Sequence, residues 1–395
     1  MSTTQNIEYQ KKEIPKRIQT IGLVLFLVGL ITVGIGYLTD TTRVAFNNII
    51  IFSFLTSIGL GSLFLVAIEY LGGAVWSTPF RRVPEFLSAI ILLLPLIVLP
   101  LLSSMGNIFH WIHPEVVNAD KILESKAPYL NTTFFIIRVA AFIAIWVVFY
   151  LLITRNSKKQ DASKDQLLTK KNIKISAVFI PFFAITISFT AIDWLMSLEP
   201  HWFSTIFGVY YFSGSVLAAL SASTIIIVLL NENGYLVKGL KPDHYYSLGA
   251  LLFAFTNFWA YIAFSQYLLI WYANLPEETF WFLQRWEGNW ILISIGLILI
   301  RFVIPYFGLL SQPSKMDPKR LLIMSSVILF AHWYDLYWLA MPNYSKNGFV
   351  LGWQELGFIL FAVGLVMLVF NFMAKKNNLV PMGDPKLKRG IDFRL

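Results

Sequence analysis

The sequence predicts an all-α polytopic membrane protein of ten transmembrane helices. Three observations carry that reading. The 395-residue chain is 57% hydrophobic and 13% charged, whereas a soluble globular chain is about 45–50% apolar and about 25% charged. Its mean hydropathy is +0.65. Ten stretches are each long enough to cross hydrocarbon, which takes roughly 20 apolar residues.

The first stretch is 18–38. It is too long for the apolar core of a cleaved signal, and no A-x-A site follows it. The second, 46–71, carries Gly59-Leu-Gly-Ser62 at mid-helix, where glycines serve close packing better than phosphate binding. The third, 85–104, contains the clearest mid-span proline, Pro95. The fourth, 132–154, and fifth, 173–197, carry Arg138 and Asp193. The sixth, 203–230, is rich in Tyr and Ser, from Tyr210 and Tyr211 to Ser223 and Thr224. In the seventh, 245–271, Asn257, Tyr261 and Ser265 recur every four residues with Gln266 adjacent, a polar stripe on one face. The eighth, 289–310, holds Arg301, with Pro305 nearer its end. The ninth, 320–341, holds His332 and Asp335, and the tenth is 350–374. A membrane domain over 18–374 is thus flanked by an N-terminal segment, 1–17, and a basic tail, 375–395. The longest connections are 105–131 and 155–172.

Lys and Arg in the connections give the orientation. Of the 31 basic residues, Arg43, Lys121, Lys126, Arg285 and Lys346 fall on the side opposite the N-terminus, and Arg138 and Arg301 lie inside spans. All others are on the N-terminal side, so both termini are expected in the cytoplasm. The net charge of +9 is therefore a topology signal, reinforced by anionic membrane lipids. A nucleic-acid surface needs a contiguous basic face, and these charges are scattered, so no nucleic-acid partner is expected. Trp111, Trp202, Trp271, Trp281, Trp286 and Trp290 fall at span ends or in outer connections and read as interfacial anchors. Segment 274–289 reads as lying flat on the membrane or against a partner.

The chain has no cysteine. Disulfides, cysteine-ligated iron–sulfur clusters, covalently attached c-type haem and thiol catalysis are excluded. Of the five histidines, His110, His113, His201, His244 and His332, one is well inside a span, so no bis-histidine haem is expected. No metal site, P-loop or hydrolase motif is apparent.

An internal repeat organises the charged residues. Asp193 precedes Pro200 by seven residues, and Asp335 precedes Pro342 by seven. The helix before each carries one intramembrane arginine, Arg138 or Arg301. Helices two to five (46–197) then repeat as six to nine (203–341), two four-helix bundles with helices one and ten peripheral. Four spans per unit give both halves the same orientation.

A charge in hydrocarbon costs at least about 2.5–3.5 kcal/mol on insertion scales, so such residues face the bundle interior and pair. Arg138–Asp193 and Arg301–Asp335 are the expected ion pairs. Each reads either as a structural pair or as part of a proton path or quinol pocket. His332 and Asp335, at i and i+3, share a face, and the carboxylate is placed to orient the imidazole. Glu69 and Glu85 lie close in sequence to Arg81 and Arg82, which predicts pairing at the cytoplasmic boundary, with Glu69 a candidate proton site. The proton-path candidates are therefore Asp193, Asp335, His332, Glu69, Arg138 and Arg301.

Residues 76–85 (WSTPFRRVPE), 192–207 (IDWLMSLEPHWFSTIF), 257–278 (NFWAYIAFSQYLLIWYANLPEE) and 331–343 (AHWYDLYWLAMPN) resemble the polysulfide-reductase-like, NrfD-like membrane subunits of bacterial respiratory complexes. Within that group the chain is most similar to the two such membrane subunits of alternative complex III, a quinol:cytochrome c oxidoreductase, and its compact connections resemble the shorter of the two. The resemblance implies two four-helix bundles with flanking helices and no redox cofactor in this chain. It implies a bacterial inner-membrane location, with haem c and iron–sulfur clusters on partner subunits: a multihaem cytochrome c, an iron–sulfur protein and a homologous membrane subunit. Menaquinol or ubiquinol would be oxidised nearby. Three readings follow: a scaffold with a proton conduit, a quinol-binding subunit of the same complex, or, outside that family, a secondary transporter.

Overall fold

A computed structural model of the chain describes residues 12–395. The first eleven residues of the expected N-terminal segment 1–17 lie outside the described part. Among the described residues, ten helices are long and apolar enough to cross a membrane: Lys16–Thr39, Thr41–Gly72, Thr78–Ser103, Thr132–Ser163, Leu167–Leu198, Phe207–Glu232, Pro242–Ala273, Trp290–Gly308, Pro318–Asn343 and Trp353–Lys376. They are spans one to ten below. The protein is an all-α polytopic membrane protein.

Spans two and six are buried along nearly their whole length, the pattern of a helix at the centre of a large bundle. Around span two, spans three, four and five close one four-helix ring. Around span six, spans seven, eight and nine close another. The rings join where span two packs on span six, span five on span six, and span nine on span two. Exchanging two with six and five with nine leaves that contact pattern unchanged. The Gly59–Ser62 motif lies at this join. A Cβ on Gly61 would stand 2.7 Å from the Ser215 carbonyl of span six, and one on Gly59 would stand 3.3 Å from Ile90 of span three. Spans one and ten pair on the periphery through Gly22, Gly29, Gly357 and Gly364.

Three elements differ from the sequence expectation. Span three is a chain of short pieces, with a 3-10 stretch at Ser88–Leu93 before Leu94–Ile97 and Leu99–Ser103. Pro95 and Pro100 lack the amide hydrogens a continuous helix needs. Residues 155–172 form little loop. Spans four and five continue as helices and turn at Lys164, whose φ of 52° ends the fourth. Asn156 and Asn172 (2.9 Å), and Gln160 and Thr169 (2.7 Å), bind the two extensions together. The expected basic tail, 375–395, continues the tenth helix to Lys376 and then packs back on the chain. Leu379, Val380 and Leu387 are buried against one end of the membrane domain. That end is the tail face, and the opposite end is the far face.

The tryptophans differ as well. Trp271 and Trp286 are exposed, but Trp111, Trp202, Trp281 and Trp290 are buried. Trp202 stacks on Trp281 at 4.4 Å. These four are packing residues of the far face: Trp111 packs on Phe109 and Phe135 in the first ring, Trp202 lies on the short helix Pro276–Trp286 that carries Trp281, and Trp290 packs on Tyr337. Segment 274–289 thus lies against its own chain.

Candidate functional site

The six candidate residues fall in three places. In the first ring, Arg138 of span four and Asp193 of span five form a two-pronged ion pair, Nε to Oδ2 at 2.9 Å and Nη2 to Oδ1 at 3.0 Å. The third guanidinium nitrogen donates to the Tyr129 carbonyl at 2.9 Å. The Tyr129 hydroxyl donates to Asp193 at 2.9 Å, and its ring covers the guanidinium at 3.9 Å. Every strong hydrogen-bonding group of the pair has a partner.

The equivalent place in the second ring is built differently. Arg301 sits in a π-helical segment, Leu299–Val303. Four residues on, Pro305 has no amide hydrogen for the Arg301 carbonyl, and its ring clashes there. The helix widens, as such bulges do at functional sites, and Arg301 turns inward, fully buried. Its Nε stands 3.4 Å from Asp335 Oδ2. Its Nη2 is 3.1 Å from His332 Nδ1, so Nδ1 accepts and the ring proton is on Nε2. The guanidinium lies over the Trp259 ring at 4.7 Å. Tyr210 of span six donates its hydroxyl to Asp335 at 2.5 Å.

Spacing alone suggested that Asp335 orients His332. They do share a face, but Arg301 is the partner of His332, and Asp335 takes Tyr210 and Arg301 instead. Gly214 makes the room: a Cβ there would stand 2.8 Å from Arg301 Nη2 and 3.2 Å from His332. The site is left short of partners. Arg301 Nε and Nη1, His332 Nε2 and Trp259 Nε1 are buried without a hydrogen bond.

Tyr210 and Trp259 also form the inner wall of a cavity of about 670 Å³, within the range of small-molecule sites. Asn257, Tyr261 and Gln266 of the predicted polar stripe line it, together with aromatic side chains of the short helix Pro276–Trp286 and of span nine. Gln266 is buried, and its Oε1 has no partner. Tyr261 and Phe264 of span seven and Ile298 of span eight line the cavity and are exposed on the outer surface of the bundle. The cavity therefore opens sideways, towards lipid. In the first ring, a pocket of about 320 Å³ lies beside Tyr129.

Arg285 borders this region and was legible in the sequence only as an outer basic residue. It is fully buried and donates to the carbonyls of Trp338, Leu339 and Trp281 at 3.2, 2.9 and 2.8 Å. Its guanidinium lies 3.4 Å from the Trp281 ring centre. Burial pulls its pKa well below the ordinary arginine value. Carbonyls at the end of span nine, the negative end of its dipole, take the place of a carboxylate. Two flanking tryptophans were the one sequence signal for this role.

Glu69 lies apart from both pairs, on the tail face. It pairs with Arg81 at 3.1 Å, as expected, and Glu85 pairs with Arg81 at 3.1 Å and Arg82 at 2.5 Å. Among the described residues, no group of three or more His, Asp or Glu is placed to hold a metal ion. No protein-family model matches the chain, and no curated protein matches it.

Proposed function

We propose that this chain is an integral membrane subunit of a quinol-oxidising respiratory complex of the alternative complex III kind, and that its own chemistry is the handling of protons at the Tyr210–Asp335–Arg301–His332 cluster. The observation that carries the reading is the placement of this under-partnered buried cluster directly behind the wall of a lipid-facing cavity. Such intramembrane ionisable groups mark proton and substrate paths. The chain carries no redox cofactor in this reading. Haem c and iron–sulfur clusters belong to a multihaem cytochrome c and an iron–sulfur partner, and a homologous membrane subunit packs alongside. Both termini face the cytoplasm of a bacterial inner membrane.

The cavity favours a second, more specific reading: the quinol ring enters this chain itself. Quinol oxidation releases two electrons and two protons. The electrons would pass to the partners. A proton arriving at the Tyr210 hydroxyl would be matched by one passed on to Asp335, with Arg301 holding the carboxylate and His332 behind it. Gln266 offers an acceptor to the second ring hydroxyl. A secondary transporter is less well supported. The irregular stretches of spans three and eight do not fall at corresponding positions of the repeat, as broken transporter helices do.

The test is Asp335→Asn in the purified complex, read by quinol turnover and proton release, with a photoreactive quinone analogue as the second arm. Turnover and proton release both fall while the complex stays assembled, and the analogue labels spans seven and eight. Unchanged turnover and proton release in Asp335→Asn would remove the proton role. Labelling confined to the homologous subunit would remove the quinol site.

A further inference from the structure

The segment 377–395 supplies part of a buried ionic cluster on the tail face. Four carboxylates, Glu69, Glu85, Asp161 and Asp384, meet two guanidinium groups, Arg81 and Arg82. All except Asp161 are buried. With every group ionised, the cluster has two more negative charges than positive. A buried charge without a counter-charge is commonly neutralised by a proton instead.

The sharing of donors points to where that proton sits. Glu85 accepts from Arg81, Arg82 and the Ser157 hydroxyl. Asp161 accepts from Arg82 at 2.7 Å and from the Gly383 amide at 3.3 Å. A single nitrogen, Arg81 Nη1, donates to Glu69 at 3.1 Å and also stands 2.7 Å from Asp384 Oδ2, which is buried without a hydrogen bond. Glu69 adds a long contact of 3.4 Å with the Thr78 hydroxyl. Tyr70, whose ring lies under the Arg81 guanidinium at 4.6 Å, and Arg81 Nη2 leave a buried hydroxyl and a buried N–H group without partners.

Asp384 reaches Arg81 because 377–395 folds back under the bundle. The Gly390 carbonyl accepts from His244 Nε2 at 2.8 Å, and Phe393 meets the His244 ring edge-on. Gly390 has no room for a side chain, since a Cβ there would stand 2.7 Å from the Val75 carbonyl.

We propose that the segment 377–395 is a proton-linked cap: docked, it brings Asp384 into competition with Glu69 for Arg81, and the cluster holds a proton that is released when the cap lifts. The proton leaves the Glu69 carboxyl for water on the tail face, and Arg81 then pairs with Glu69 alone. Linkage is reciprocal, so a rise in pH that removes this proton loosens the cap. The charged and titratable neighbours are Glu85, Asp161, Arg82, Tyr70, Lys158, Lys386 and His244. Lys158 and Lys386 form no ion pair with the four carboxylates among the described residues. His244 is the rival switch, because it holds Gly390. The cap is independent of what the far-face cavity binds and would survive a failure to bind quinol there.

Because the chain has no cysteine, two introduced cysteines report the cap unambiguously. Spin labels on Lys170→Cys and Leu395→Cys, both at exposed positions, are read by pulsed electron resonance in the full-length protein in lipid nanodiscs. Between about pH 5 and about pH 9, the lifted fraction rises about tenfold. Glu69→Gln, which mimics the protonated carboxyl, keeps the cap docked and flattens the response. Asp384→Asn removes the competition and flattens it as well, while His244→Asn leaves it in place. A label distance that does not change with pH would overturn the proposal. So would a response that persists in Glu69→Gln, or one that vanishes only in His244→Asn.

Discussion

The two rings place an arginine and an aspartate at equivalent positions and use them differently. Arg138 and Asp193 form a closed unit: two bonds to each other, one from Arg138 to the Tyr129 carbonyl, one from the Tyr129 hydroxyl to Asp193, and a ring over the guanidinium. Arg301 and Asp335 form an open one, with a longer ion contact through Nε, a second guanidinium nitrogen, Nη1, without a hydrogen bond and a histidine with a free donor. The open pair is the one beside the larger cavity. A buried polar network that is fully satisfied rigidifies a core, and a partly satisfied one is costly. In the proposed function the open pair is the place for chemistry, and the closed pair the place for stability.

The sharpest way to break this contrast is to remove one acid from each ring. Asp193→Ala strands Arg138 in the interior and lowers unfolding free energy by about 3–5 kcal/mol, read by denaturation in a mild detergent. Asp335→Asn keeps the shape and a hydrogen-bond acceptor for Tyr210. It lowers proton-coupled turnover with a much smaller loss of stability. If Asp193→Ala were as stable as the parent chain, the closed pair would not be structural.

Replacing the closed pair as a unit tests the same point from the other side. Arg138→Met with Asp193→Leu removes both charges, and such exchanges are often neutral or stabilising by about 1–4 kcal/mol. Activity is retained in this double variant. The matching exchange of Arg301 and Asp335 folds but loses turnover.

A smaller change addresses the open pair alone. Gly214→Ala puts a methyl group against Arg301 Nη2, an overpacking that costs about 1–3 kcal/mol. It displaces the guanidinium from His332, so quinone-analogue labelling at the cavity falls more than thermal stability does. Equal losses in both would make Gly214 a packing residue only.

The mildest expected effect lies in the far-face connection of the first ring. His201 Nε2 stands 2.5 Å from Asp120, and this hydrogen bond, with the amides of Ile122 and Leu123, holds the Asp120 carboxyl below its usual range. A lowered carboxyl stabilises the folded form above its unfolded value, about 3.9, and loses that stabilisation as pH falls through the folded value. Because the pair is exposed, the effect is small. Amide exchange in 114–126 quickens below about pH 4, and Asp120→Asn removes the change.

The spans were legible because hydrocarbon demands an unbroken apolar run, and composition alone records it. The charged candidates were legible because so few charges survive inside those runs. Their partners were not. Tyr129 and Tyr210 come from different elements, before span four and within span six, and no spacing links them to Asp193 and Asp335. Arg285 looked like an outer surface charge because its acceptors are backbone carbonyls, which leave no mark in a sequence. The burial of four far-face tryptophans depended on partners distant in the chain: Phe135 for Trp111, the short helix Pro276–Trp286 for Trp202, Trp338 for Trp281 and Tyr337 for Trp290. The segment 375–395 read only as a basic tail because its charges hide the few apolar residues that dock it.

The sequence by itself determined an all-α membrane architecture of ten spans and the handful of buried charges, since each is a local statement about chain length, hydropathy and the cost of charge in lipid. Only the tertiary structure decided which of two similar Arg–Asp pairs is closed and which is open. That difference comes from a π-turn at Arg301, a glycine at 214 and tyrosines brought from distant elements. Satisfaction of a buried polar group is a property of everything packed around it, not of the residues beside it in the chain.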